Sequence, residues 1–100
     1  MSVQDKIDFT NVEGDSTGHS ITVYALSTCG FCRRAISYLR DRKLAFRYVN
    51  IDQLEPEIKA ELRAELRERH QRSLIFPFLV VDGDKSTTGF VKEKWDELLA

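Results

Sequence analysis

The chain has 100 residues, 42% of them hydrophobic, enough for one compact domain with its own core, which argues against disorder as the overall state. Fifteen Lys and Arg stand against sixteen Asp and Glu, a formal charge of -1, so no broad field attracts nucleic acid or an anionic membrane surface. No apolar run approaches the roughly 20 residues of a bilayer span, and the first twenty residues are too polar and acidic for a signal or transit peptide, so a cytoplasmic address is expected.

Residues 1–19 carry Asp, Asn, Ser, Thr and Gly without sustained periodicity and read as a polar, loosely attached extension, with room for a short strand around Ile7, Phe9 and Val12. Residues 20–100 read as one domain. The run Ile21 to Leu26 is β-branched and aromatic and has the length of a buried strand. Beyond Gly30, Cys32, Ala35, Ile36 and Leu39 recur at helical spacing with polar residues between them, which predicts an amphipathic helix to about Lys43, capped by Ser27 or Thr28. Ala45 to Ile51 returns to strand composition and completes a βαβ unit. A second helix is expected from Asp52, with Pro56 in its first turn, Leu54, Ile58, Leu62 and Leu66 on one face, and a charged, solvated face opposite. Its i, i+4 pairs Glu55 with Lys59 and Glu65 with Arg69 suit modest ionic support. Phe78 to Val81 and Lys85 to Thr88, joined by Asp82-Gly83-Asp84, read as a hairpin, and Val91 to Leu99 as a closing helix with Trp95, Leu98 and Leu99 inward.

The two cysteines, Cys29 and Cys32, form a Cys-x-x-Cys pair in a chain without an export signal, which points to redox or metal chemistry rather than a disulfide framework. They follow a strand and open a helix. Unpaired helix amides and the macrodipole favour negative charge there, so the position stabilises a thiolate. Disulfide exchange needs an attacking thiolate and a second thiol near enough to resolve the mixed disulfide, so Cys29 is expected to attack and Cys32 to resolve. Arg33 and Arg34 add positive charge one turn in, or are ordinary solvated helix residues. A closed zinc site needs two further ligands; only His19 and His70 are available, in no paired ligand motif, and no metal is expected.

At Tyr24-Ala25-Leu26-Ser27-Thr28-Cys29-Gly30-Phe31-Cys32 the chain resembles the glutaredoxin active-site segment. The resemblance continues through Asp52, Ile75-Phe76-Pro77 and Thr88-Gly89-Phe90 and covers about residues 21–99. Thr28 stands where typical thioredoxins carry tryptophan, which favours the glutaredoxin side. The resemblance implies a thioredoxin fold, α/β, with a four-stranded mixed sheet flanked by three helices in the order βαβ-α-ββ-α. It also implies that Pro77 is a cis-proline facing the cysteines and that the backbone of Phe76 pairs with an extended thiol partner. Gly30, Phe31, Phe76, Pro77, Gly89 and Phe90 are then the substrate-binding residues. Phe31, Phe76 and Phe90 would form an apolar rim suited to a protein surface, although Phe76 and Phe90 equally suit core positions.

The departures from the family bear on the substrate. Leu26 stands where glutathione-using members carry a lysine, and Val91-Lys92 where they place acidic residues, so the usual contacts to glutathione are missing. The Thr88-Gly89-Phe90 segment is similar to the glutaredoxin-like electron donors of ribonucleotide reductase, which thioredoxin reductase reduces. The implied function is dithiol-disulfide exchange on protein or low-molecular-weight disulfides, without a resident cofactor, by a monomer drawing electrons from glutathione or thioredoxin reductase. Cys29-Gly30-Phe31-Cys32 also resembles the Cys-Gly-Phe-Ser signature of monothiol members that hold an iron-sulfur cluster in a glutathione-bridged dimer. That is the alternative reading, with Cys32 in place of the serine.

Overall fold

The computed structural model describes residues 2–15 and 18–100; Met1, Ser16 and Thr17, within the stretch read as an extension, lie outside the described residues. After a 3-10 turn over Val3–Lys6 come β1 (Thr10–Val12), β2 (Ile21–Ala25), α1 (Gly30–Asp41) and β3 (Phe46–Asn50). A second 3-10 turn over Ile51–Gln53 leads to α2 (Pro56–His70), β4 (Phe78–Val81), β5 (Lys85–Thr88) and α3 (Lys92–Leu99). From β2 onward this is the order expected from the sequence. The sheet runs β1-β3-β2-β4-β5. β2 and β3 are parallel, as a crossover through α1 requires, and the other neighbours are antiparallel.

Side-chain alternation on the central strands divides the core in two. Ile21, Val23 and Ala25 of β2, with Leu79 and Val81 of β4, meet Ala35 and Leu39 of α1 and Trp95 and Leu99 of α3. Tyr24, Phe78 and Val80 point to the opposite face and meet Leu62 and Leu66 of α2. A sheet covered on both faces explains why every residue of β2 and β4 is buried.

Two expectations are corrected here. The sheet has five strands among the described residues rather than four, because β1 joins the edge of β3 with Thr10 opposite Tyr48 and Val12 opposite Phe46. The described part of residues 1–19 is therefore not loosely attached. Val3 and Ile7 are buried against α2, Ser2 Oγ and Gln4 Nε2 donate to the Glu65 carboxylate at 2.6 and 3.1 Å, and Tyr24 donates to Gln4 Oε1 at 2.8 Å. Glu65, expected to pair with Arg69 on a solvated face, instead accepts these two bonds.

The second helix also begins later than expected. Asp52 belongs to the 3-10 turn, and α2 starts at Pro56, where a missing N–H costs nothing. Among the described residues no helix is long and apolar enough to cross a membrane.

Candidate active site

Strand register brings three loops to one end of the sheet. Tyr24 lies opposite Phe78, and Phe78 opposite Thr88, so Ala25, Pro77 and Gly89 each extend one step beyond that row. The Cys-x-x-Cys turn, the Pro77 loop and the Gly89 loop thus converge through topology. The Phe76-Pro77 peptide is cis, as the resemblance implied. Pro77 is buried, and its carbonyl accepts the Gly89 N–H at 2.9 Å. The Gly89 carbonyl in turn accepts the buried Trp95 Nε1–H at 2.9 Å, so the helix core anchors both loops. Gly89 has a φ of 72°, a conformation that side chains with a Cβ adopt only under strain.

Cys29 is the N-cap of α1. Its Sγ accepts the Cys32 backbone N–H at 3.2 Å, and its carbonyl accepts the Arg33 N–H at 3.2 Å. The expected cap, Ser27 or Thr28, is displaced by the cysteine itself. One amide donor of the first turn is thereby aimed at the sulfur that carries negative charge during attack.

Ser27 is occupied elsewhere. Its N–H donates to Asp52 Oδ1 at 2.9 Å and its hydroxyl to Asp52 Oδ2. These bonds, led by the hydroxyl, hold the Asp52 carboxyl below the usual carboxylate range. Asp52 therefore clamps the turn just before Cys29. Sequence reasoning assigned Asp52 to the second helix and missed this role. The parallel register could have shown it: Ala25 pairs with Asn50, which places residues 27 and 52 side by side two steps further on.

The two thiols differ sharply. Cys29 is half-buried at the edge of the core, whereas Cys32 is 1% exposed and packed among Ala35, Leu39 and Trp95. Burial, reinforced by the hydrogen bond with Cys29 and the charges of Cys29 and Asp52, pushes the Cys32 thiol up to about 12. Cys29 can reach a partner while Cys32 stays protonated and screened. Both sulfurs are free.

The remaining sequence candidates divide by exposure. Phe31 is 61% exposed, with the Arg34 guanidinium 5.5 Å from its ring centroid. Phe90 is half-buried, its ring 5.4 Å from Tyr38 and 5.2 Å from Trp95. Phe76 is also half-buried, against both core clusters, with Arg63 5.9 Å from its ring. Both residues are thus part core and part surface, which joins the two readings left open by the sequence. Gly30, the first residue of α1, has open space where a Cβ would stand. Tyr24, although adjacent in sequence, faces α2 and belongs to the core.

A groove of about 520 Å³ opens beside Gly30 and includes Arg33, Arg34, Tyr38, Phe90 and Lys92. A second, of about 340 Å³, lies on the other flank of α1 between Leu26, Cys32 and Tyr48. Tyr38 and Lys92 were not singled out as site residues from the sequence. Tyr38 sits on the helix edge beside Phe90, and Lys92 lies 5.9 Å from the Tyr38 ring.

A glutaredoxin family model matches residues 21–85. Among solved structures, the chain is similar to a glutaredoxin from Methanosarcina mazei Go1, at 31% identity over 93% of this chain and 88% of that one, with a TM-score of 0.81. It is similar to the methanoredoxin of Methanosarcina acetivorans at 30% identity, covering 93% and 95% of the two chains, TM-score 0.77. A glutaredoxin from Archaeoglobus fulgidus shares 30% identity over 80% of this chain and 85% of its own, TM-score 0.70. No curated protein matches the chain.

Proposed function

This chain belongs to the glutaredoxin family, and from that premise we propose that it is a dithiol-disulfide oxidoreductase acting on protein disulfides through Cys29 and Cys32. The family supports a thiol oxidoreductase role in general terms. The observation that carries the specific reading is the asymmetry of the pair, a reachable, amide-capped Cys29 beside a buried, protonated Cys32.

The exchange runs in two steps. The Cys29 thiolate attacks one sulfur of the substrate disulfide; a Cys29–substrate S–S bond forms, the substrate S–S bond breaks, and the departing thiolate takes a proton from solvent. Cys32 then loses its proton and attacks Cys29 Sγ. The intramolecular disulfide forms, the mixed disulfide breaks, and the second substrate thiol leaves. The substrate gains two electrons and two protons, and the protein loses two electrons and the proton of Cys32. Burial is the main cause that holds Cys32 protonated; once Cys29 is bound in the mixed disulfide, the smaller opposition from its hydrogen bond and negative charge is removed, which eases the second step.

The cycle closes with an external dithiol or a pair of thiols. Leu26 and Val91-Lys92, in place of the family's cation and acids, favour thioredoxin reductase over glutathione as that source. The test couples the protein to NADPH through thioredoxin reductase, or through glutathione and its reductase, and follows reduction of a model disulfide. Turnover with thioredoxin reductase alone is expected. Turnover with glutathione alone would contradict the assigned electron source, and no turnover in either system would contradict the function.

A further inference from the structure

The groove beside Gly30 carries a charge that disulfide exchange itself does not require. Arg33, Arg34 and Lys92 line it, all exposed, and Asp41 is its one acidic lining residue. Among the described residues none of the three cations takes part in an ion pair. Asp96, which also lies on α3, is already held by Arg42 and Tyr38. Three uncompensated cations therefore face one carboxylate, in a chain whose formal charge is -1.

Phe31 and Val91 are next in sequence to the groove residues Gly30, Phe90 and Lys92 and add exposed apolar side chains beside it. The large hydrophobic side chains exposed among the described residues are Phe31, Ile75 and Val91, at 61%, 56% and 46%. Phe31 lies in the first turn of α1, Ile75 just before the Pro77 loop and Val91 between the Gly89 loop and α3. Apolar side chains distributed over three segments suit a macromolecular surface; a small thiol occupying one groove would leave most of them in water. The neighbouring cations give that surface a sign.

We propose that this groove receives an acidic segment, Asp and Glu residues flanking the cystine of the protein substrate, while Phe31, Ile75 and Val91 contact its apolar surroundings. This rests on the exchange reading above and adds the charge class of the partner. Attraction between the groove and such a segment raises the rate of encounter and orients the cystine toward Cys29.

The test uses the full chain and two synthetic peptide disulfides identical except for Glu or Lys residues beside the cystine. At low ionic strength kcat/KM should favour the acidic peptide by about tenfold or more, and the preference should shrink in high salt, where the screening length falls to roughly 3 Å at about 1 M. The double substitution Arg34→Glu with Lys92→Glu should abolish or invert the preference. Arg67→Glu, on the C-terminal turn of α2, should leave it intact. Equal kcat/KM for the two peptides at low salt overturns the proposal, as does a preference that survives both high salt and the double substitution. Glutathione disulfide losing more turnover than the acidic peptide in the double variant would overturn it in favour of a small anionic thiol. Neutral hydroxyethyl disulfide separates the two levels. Its turnover without charge discrimination between the peptides overturns this inference alone, whereas its failure overturns the exchange reading and this one together.

Discussion

Two cysteines one helical turn apart share a sequence motif but not an environment. Cys29 stands at the mouth of α1 with an amide donor on its sulfur, and Cys32 faces inward onto the sheet. The spacing and the strand-to-helix position were legible in the sequence, because both follow from hydrophobic periodicity. The cap was not. Cap preferences point to Ser27 and Thr28, but Ser27 is drawn to Asp52 by the register of two parallel strands, a relation between residues 25 positions apart. The difference in burial yields a direct expectation for the thiols. In Cys29→Ser the ultraviolet absorbance of thiolate should show no step in the ordinary thiol range, since burial, with the charge of Asp52, still opposes ionisation of Cys32. A titration step near the ordinary thiol value of about 8.5 would show that Cys32 is solvated.

Among the elements, the long periodic segments were legible and the short edge was not. α1 and α2 announce themselves by their apolar stripes, and β2 and β4 by continuous apolar runs. β1 has three residues and only Val12 half-buried, so there is no alternation to detect; it is held by pairing with β3 and by the preceding turn. That turn is fixed by tertiary contacts, with Ile7 in the α2-side core and Glu65 accepting from Ser2 and Gln4. Ile7→Ala should cost about 2 kcal/mol or more, and Glu65→Ala about 1–2 kcal/mol through the lost hydrogen bonds. Both are read from urea unfolding at unchanged m-value, with disulfide exchange retained. A detached N-terminal segment would leave both midpoints where they are.

Across the whole molecule, the end of the sheet away from the cysteines is closed by a polar clasp. His19 Nδ1 lies 2.7 Å from Asp82 Oδ2, its Nε2 lies 3.1 Å from the Ala100 carbonyl, and the Ser20 N–H donates to Asp82 Oδ1 at 2.9 Å. The start of β2, the β-hairpin turn and residue 100 are thus tied together. The hydrogen bond to Asp82 raises the His19 pKa above 6.5, and the Ser20 amide followed by His19 lowers that of Asp82. The imidazole contribution is therefore complete below its unfolded value of about 6.5 and lost as pH rises through the folded one. The carboxylate contribution is present above about pH 3.9 and lost as pH falls through its depressed value. The gap in urea midpoint between the native chain and His19→Asn should be largest between those limits and shrink toward alkaline pH; a gap independent of pH would contradict the assigned clasp.

The exchange depends on attack by Cys29 and resolution by Cys32, and this assignment is tested most directly by intact-mass spectrometry of Cys32→Ser and Cys29→Ser after each meets a protein disulfide. Cys32→Ser should accumulate a covalent adduct with the substrate, because attack proceeds and nothing resolves it, while Cys29→Ser should form none. Adducts of equal yield on the two variants, or an adduct only on Cys29→Ser, would contradict the assigned roles.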